Sequence, residues 1–247
     1  MISTPEHPTN SVFLTQSRLH LSTRFDVVEK DISVAGRAFV LLGVRDTNAL
    51  VDAIDPKTFA EDERVPYWAD LWTSSLELAR WCLEDADIRG KRVLELGCGL
   101  GLSGIAAAAA GAIVTLSDYE SDALDFARYN TAANLPEEIV STRVSFLLLD
   151  WRSLPAVDPF DVLIAADVVY ERRNFLPMID VLTTLLTPKG FAVFTEPGRS
   201  IGELFFALLR EQGFHLTVTK HCVELNRKTS EVTRAIITLP ESGTDNS

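Results

Sequence analysis

After an apolar run the chain reads Glu95-Leu96-Gly97-Cys98-Gly99-Leu100-Gly101, three glycines at alternate positions with a carboxylate two residues ahead of the first. Glycines at a strand exit adopt backbone conformations that other residues resist, and they admit a ligand where a Cβ would collide. The segment reads as a ligand cradle whose occupant must tolerate an acid. Gly99-Leu100-Gly101-Leu102-Ser103-Gly104 also satisfies G-x-G-x-x-G, and Asp118 closes the next strand about where a ribose-binding acid stands, so NAD or FAD is one candidate. Glu95 favours another. A carboxylate repels a diphosphate, whereas a cationic sulfonium compound with a free amino group gains from one. Methyl transfer is the favoured chemistry.

Asp167 and Tyr170 fall where a later apolar strand gives way to a loop, at the sheet edge where open α/β folds place ligands. They are the candidates for the reacting end. Methyl transfer needs a neutral nitrogen lone pair held in line with the methyl group and shielded from water. An acidic, partly buried pocket orients an ammonium while solvent or a carboxylate removes its proton, although a carboxylate also stabilises the charged amine.

These residues require a scaffold, and the pattern supplies one. From Lys91 the chain alternates strand, turn and helix, the mark of a parallel sheet wrapped by helices on both faces. Strands are predicted at 93–96, 113–117, 144–149, 160–165 and 191–196, with helices at 102–110, 122–133, 174–186 and 201–211. Two β-prone runs, 214–219 and 232–239, follow without a helix between them and imply an antiparallel pair at the sheet edge. The expected class is therefore α/β, a Rossmann-like seven-stranded, mostly parallel sheet with an antiparallel C-terminal pair. Upstream, 24–29 and 38–44 suggest a hairpin, 52–63 an acidic loop and 73–83 a helix. We expect an N-terminal extension over 1–64, the main domain over 65–240 and a disordered tail at 241–247, with residues 1 to about 20 frayed.

The chain has 247 residues, 47% of them hydrophobic, enough for one substantial core. Its formal charge of −12 repels phosphate backbones, so a nucleic-acid partner is not expected, and a lysine-bearing partner would be attracted. Cys82, Cys98 and Cys222 are too scattered for a disulfide framework, and with the four histidines they form no metal-binding spacing. The N-terminus lacks a basic start and an apolar run, and the most apolar stretch, 102–116, is interrupted by Ser103, Gly104 and Gly111. A cytoplasmic, non-membrane protein is expected.

Taken in order, four marks make the chain resemble the seven-β-strand S-adenosylmethionine methyltransferases, in particular the lysine methyltransferase group that includes the enzymes modifying the electron-transfer-flavoprotein β-subunit. They are Pro66-Tyr67-Trp68-Ala69-Asp70-Leu71-Trp72, the Glu95–Gly101 loop, Asp150-Trp151 and Asp167-Val168-Val169-Tyr170. The resemblance implies S-adenosylmethionine as cofactor, with Gly97, Gly99 and Gly101 approaching its methionine half and Glu95 supporting the loop or the amino group. It implies Asp118 on the ribose hydroxyls, Asp150 or nearby backbone on the adenine amino group, and Trp151 and Trp72 as flat walls. Glu196-Pro197-Gly198-Arg199 resembles a turn of the flavoprotein-modifying enzymes, which makes Glu196 and Arg199 candidate substrate contacts. The spacing of Asp167 and Tyr170 is similar to the Asn/Asp-Pro-Pro-Tyr motif of enzymes acting on adenine or glutamine, but Val168 and Val169 replace both prolines. A protein lysine is the leading acceptor; a small amine or pyridine nitrogen, and a cofactor-binding regulator without catalysis, are the alternatives.

Overall fold

Burial on both faces defines the centre of the fold. In β3 (Arg92–Leu96) only the first residue is exposed, as expected of a parallel strand covered by helices on either side. The computed structural model describes residues 10–52, 54, 65–84, 86–225 and 227–240, and its main sheet grows outward from this strand. β4 (Ile113–Asp118), β5 (Val144–Leu148), β6 (Phe160–Ala166) and β7 (Leu186–Glu196) run parallel to it. β9 (Lys228–Thr238) pairs antiparallel with β7 and with β8 (His215–Leu225) at the edge. The seven-stranded order is β5-β4-β3-β6-β7-β9-β8, as the expected class requires. The order turns back between β3 and β6, so the carboxyl ends of β3, β4 and β6 open onto one crevice.

Successive side chains of a strand serve opposite faces. Val93 joins Val114, Val162 and Val193 beneath α3 (Thr73–Glu84) and α4 (Leu102–Ala109), alongside Leu78 and Ile105. Leu94 and Leu96 face α7 (Phe175–Leu185) and α8 (Ser200–Glu211) on the other side, where Met178, Leu182, Phe205 and Leu209 are fully buried. α5 (Ser121–Asn134) and the short α6 (Glu137–Arg143) precede β5; α6 was not anticipated from the sequence.

The expected hairpin is present but shifted, as β1 (Val27–Val34) and β2 (Arg37–Val44). Its two-residue turn puts Ala35 and Gly36 at φ 50° and 74°, the mirror-image geometry whose twist suits a hairpin. Two asparagines of α5 receive β2 much as a neighbouring strand would. Asn130 Oδ1 accepts the Leu42 amide at 2.7 Å and its Nδ2 donates to the Leu42 carbonyl at 3.0 Å; Asn134, one turn later, does the same for Val40 at 2.8 Å each way.

One expectation for the N-terminus is corrected. Of the residues read as frayed, 10–20 lie in a helix, α1 (Asn10–Ser22). Its sequence is polar overall, and it is anchored by a tertiary contact: Leu21 is 1% exposed in a cluster with Leu42 and Phe126. A short helix, α2 (Thr47–Asp52), ends where the acidic loop was expected. Most of that loop, residues 1–9 and the tail at 241–247 lie outside the described residues. Among the described residues no helix is long and apolar enough to cross a membrane.

Candidate functional site

The β3–α4 loop turns by left-handed backbone. Gly97 and Gly99 have φ of +63° and +50°. A Cβ at Gly97 would lie 3.1 Å from Val168 Cγ1 and 3.4 Å from the Trp151 ring, and one at Gly99 would lie 3.0 Å from the Trp68 carbonyl oxygen. The glycines thus let the segment around Trp68 and the strand-end loops close over the cradle, in addition to leaving its floor bare.

Two buried carboxyls brace this loop from below. Glu95 Oε2 accepts the Gly104 amide of α4 at 2.9 Å, while the Glu95 carbonyl accepts the Ser117 hydroxyl at 2.5 Å. Burial pushes the Glu95 carboxyl up to about 8, against the opposing hydrogen bonds. Asp118, at the end of β4, accepts the Gly99 amide on Oδ2 and the Glu120 amide on Oδ1, each at 3.0 Å. Burial raises it to about 6.

Above the loop is a hollow lined by the glycines, Glu95, Asp118, Tyr119, Trp151, Asp167 and Tyr170, and roofed by Tyr67, Trp68 and Trp72. Its titratable walls include Asp70, Glu95, Asp118 and Asp167, and among the described residues no Lys, Arg or His contributes. An anionic diphosphate finds no counter-charge on these described walls, and a cationic ligand finds the carboxylate of Asp118; Glu95, raised to about 8 by burial, braces the loop without supplying negative charge near neutral pH. Beyond Trp151 a second hollow takes in Tyr119, Asp150, Arg152 and Tyr170. Asp150 thus stands on the outer flank, its carboxylate 2.7 Å from Arg152 Nη2.

A third hollow opens beside the first and shares Tyr67, Trp72, Asp167 and Tyr170 with it, adding Glu171 and Arg199. Asp167 sits at φ +56°, a conformation rare outside glycine and often stored at functional sites. Its amide donates to the Thr195 carbonyl at 2.9 Å. Arg199 grips its carboxylate with both terminal nitrogens, at 2.6 and 3.1 Å. Burial raises the Asp167 carboxyl from its ordinary value, and Arg199 partly opposes this. Tyr67 meets Tyr170 edge-on at 5.2 Å and Trp72 at 6.1 Å, and the Trp72 indole donates to the Tyr67 carbonyl at 2.9 Å. Burial raises the Tyr170 hydroxyl as well. Glu196 is not on these walls. It lies behind Asp167, with Oε1 accepting the Val169 amide at 3.4 Å and Oε2 lacking a hydrogen-bond partner; burial, then the nearby Asp167, push it up to about 8.

The sequence pattern of the lysine methyltransferase family matches residues 57–212. The chain belongs to that family. Mouse EEF1A lysine methyltransferase 3 is 32% identical over 163 residues, covering 64% of this chain and 68% of the relative. Protein N-lysine methyltransferase METTL21A of Xenopus tropicalis is 36% identical over 120 residues, 48% of this chain and 54% of the relative. A Dictyostelium discoideum histidine protein methyltransferase 1 homologue is 28% identical over 128 residues, 49% of this chain and 40% of that one. The chain thus spans from two-fifths to about two-thirds of these relatives' lengths. Among solved structures, the N-methyltransferase NodS of Bradyrhizobium japonicum WM9 superposes with a TM-score of 0.53 at 17% identity, covering 77% of this chain and 97% of that one. Precorrin-6y C5,15-methyltransferase of Geobacter metallireducens GS-15 gives 0.53 at 14% identity, covering 67% and 89%. At these identities the superpositions show the fold. Family and fold make the chain an S-adenosylmethionine-dependent methyltransferase.

In this methyltransferase the sequence reading missed Tyr67, Tyr119 and Glu171 as wall residues. Tyr67 lay inside the quoted Trp segment, and Tyr119 and Glu171 each directly follow a residue that had been singled out. Adjacency was the available signal.

Proposed function

We propose that this methyltransferase transfers a methyl group from S-adenosylmethionine to the side-chain nitrogen of a lysine in a protein substrate. The observation that carries the proposal is the pair of adjoining hollows, one over the glycine loop, the other reaching out to Glu171 and Arg199, with Tyr67, Trp72, Asp167 and Tyr170 common to both. The cofactor fits the first: the loop backbone is bare, the described walls hold acids and no Lys, Arg or His, and Trp151 offers a flat face. When bound, the sulfonium supplies an electrophilic methyl carbon and takes back the C–S electron pair as a thioether.

The chain's residues do the rest. Gly97, Gly99 and Gly101 seat the methionine half, Glu95 braces the start of α4, Asp118 meets the ribose, and Trp151 with Asp150 flanks the adenine. Trp72 and Tyr170 wall the acceptor's path, Asp167 orients the incoming ammonium, Arg199 lines the same hollow, and Glu196 backs Asp167 from behind, off the walls. The ammonium releases its proton to solvent before its lone pair attacks, and the aromatic walls keep water from the reacting line. Similarity to enzymes named for EEF1A and other protein lysines supports a protein acceptor.

The acidic walls and net charge support an acceptor other than nucleic acid. A cytoplasmic location is also proposed; the free thiols of Cys98 and Cys222 suit a reducing compartment. Incubation with methyl-labelled cofactor and host lysate should label a protein, and Asp167→Asn should reduce that label. Label confined to the small-molecule fraction would overturn the proposal.

A further inference from the structure

Arg199 stands where an acceptor cation has to stand. Its guanidinium holds both oxygens of Asp167 at 2.6 and 3.1 Å and lies 5.8 Å from the centre of the Trp72 ring. Both partners line the proposed acceptor hollow. We propose that Arg199 is a displaceable counter-cation that fills the acceptor subsite until the substrate's ammonium exchanges for it, which makes the site selective for a cation on a flexible alkyl arm. The proposal rests on the lysine reading above and deepens it.

The asymmetry of the ion pair supports exchange. The Asp167 side chain is 5% exposed and that of Arg199 is 38% exposed. Asp167 is fixed by its left-handed backbone and by its amide's bond to Thr195. Arg199 instead springs from the cap of α8, directly after Pro197 and Gly198, the latter at φ +72°. Its guanidinium can turn to solvent without disturbing the core. Leaving Asp167 unpaired is heavily penalised, because a buried carboxylate without a partner loses its hydration and gains nothing in return. While Asp167 is ionised, Arg199 therefore departs only when another cation arrives, and a neutral acceptor such as a pyridine or an alcohol offers no compensation.

The walls suit either cation. Tyr67, Trp72 and Tyr170 stand in successive edge-to-face contacts around the hollow, and aromatic faces attract ammonium and guanidinium alike. Arginine keeps its charge across the working pH range, so the exchange is driven by competition and not by titration. A self-occupied subsite weakens apparent affinity by the fraction of time it is free, so occupancy of 90–99% corresponds to roughly ten- to hundredfold.

The test is calorimetric titration of n-butylammonium into the full chain saturated with S-adenosylhomocysteine, comparing the wild type with Arg199→Met and Arg199→Lys. Binding should tighten roughly tenfold or more in Arg199→Met, with Arg199→Lys intermediate, and 1-butanol should bind to none of them. Methylguanidinium should raise the melting temperature of Arg199→Met and leave that of the wild type unchanged. Equal or weaker n-butylammonium binding in the Met variant overturns the proposal. Should that variant fail to fold, Arg199→Lys decides: tighter binding than the wild type supports exchange, and weaker binding overturns it. An inverted order in an enzyme that methylates protein lysine sinks this proposal alone. A wild type that labels no protein, yet shows the expected order, sinks the lysine reading alone.

Discussion

Oδ2 of Asp118 accepts the amide of Gly99 at 3.0 Å, which makes the acid closing β4 a structural member of the cradle as well as a candidate ribose contact. The second of the three glycines is held in place by the residue proposed to hold the ligand beside it. Loss of Asp118 should therefore disturb the cofactor site twice.

Asp118→Ala removes the acceptor for Gly99 and Glu120 together with the charge. Hydrogen bonds to a charged group contribute roughly 1.5–3 kcal/mol, so affinity for S-adenosylhomocysteine should fall at least roughly tenfold to hundredfold. Asp118→Asn keeps an acceptor oxygen and should lose less. Calorimetry compares the variants; wild-type affinity in Asp118→Ala would contradict both roles.

Gly99→Ala meets two obstacles, a left-handed backbone and the Trp68 carbonyl 3.0 Å from the new methyl. The conformation alone costs roughly 1–2 kcal/mol. The urea midpoint should drop accordingly, and cofactor affinity with it as the Trp68 segment lifts. A variant of unchanged stability would mean that the loop relaxes freely.

Asn130 joins the N-terminal hairpin to the glycine loop, since the same Nδ2 donates to the carbonyls of Leu42 and Leu100, each at 3.0 Å. Asn130→Leu leaves those carbonyls and the Leu42 amide without their partner in a buried setting. Each orphaned group costs roughly 1–3 kcal/mol. Denaturation should show a loss of that order, and calorimetry a weaker cofactor complex, although Asn130 touches no proposed ligand. Loss of stability with full cofactor affinity would separate the hairpin from the site.

Glu95 and Glu196 are both raised from 4.5 to about 8 by burial. A carboxyl with a raised folded-state value binds more protons when folded than when unfolded. Its contribution is therefore greatest below the unfolded value and is lost as pH rises from about 4.5 to about 8. Each group supplies a slope of at most roughly 1.4 kcal/mol per pH unit. Urea unfolding followed from pH about 5 to about 8.5 should show falling stability, and Glu196→Gln should make the fall shallower. A stability rising with pH through this window would contradict the buried, protonated state of these acids.

Strand positions at the centre were legible because β3, β4 and β6 alternate with helices and carry apolar residues on both faces. The Glu95–Gly101 loop was legible because bare backbone beside an acid is a local signal. α1 was not, since its polar composition hides an anchoring contact at Leu21 with residues far along the chain. Nor was the partner of Asp167. Arg199 lies 32 residues away and reaches it only because β6 and β7 end side by side. Glu196 read as a rim contact, yet its place at the end of β7 turns it behind Asp167, and no spacing rule reports that direction.

The central claim is tested most directly by identifying the methylated atom. Host lysate treated with methyl-labelled cofactor and this chain should yield, on complete hydrolysis of the labelled protein, radioactivity that co-migrates with Nε-methyllysine. Recovery as a methylhistidine, or only as a methylated small molecule, would contradict the account.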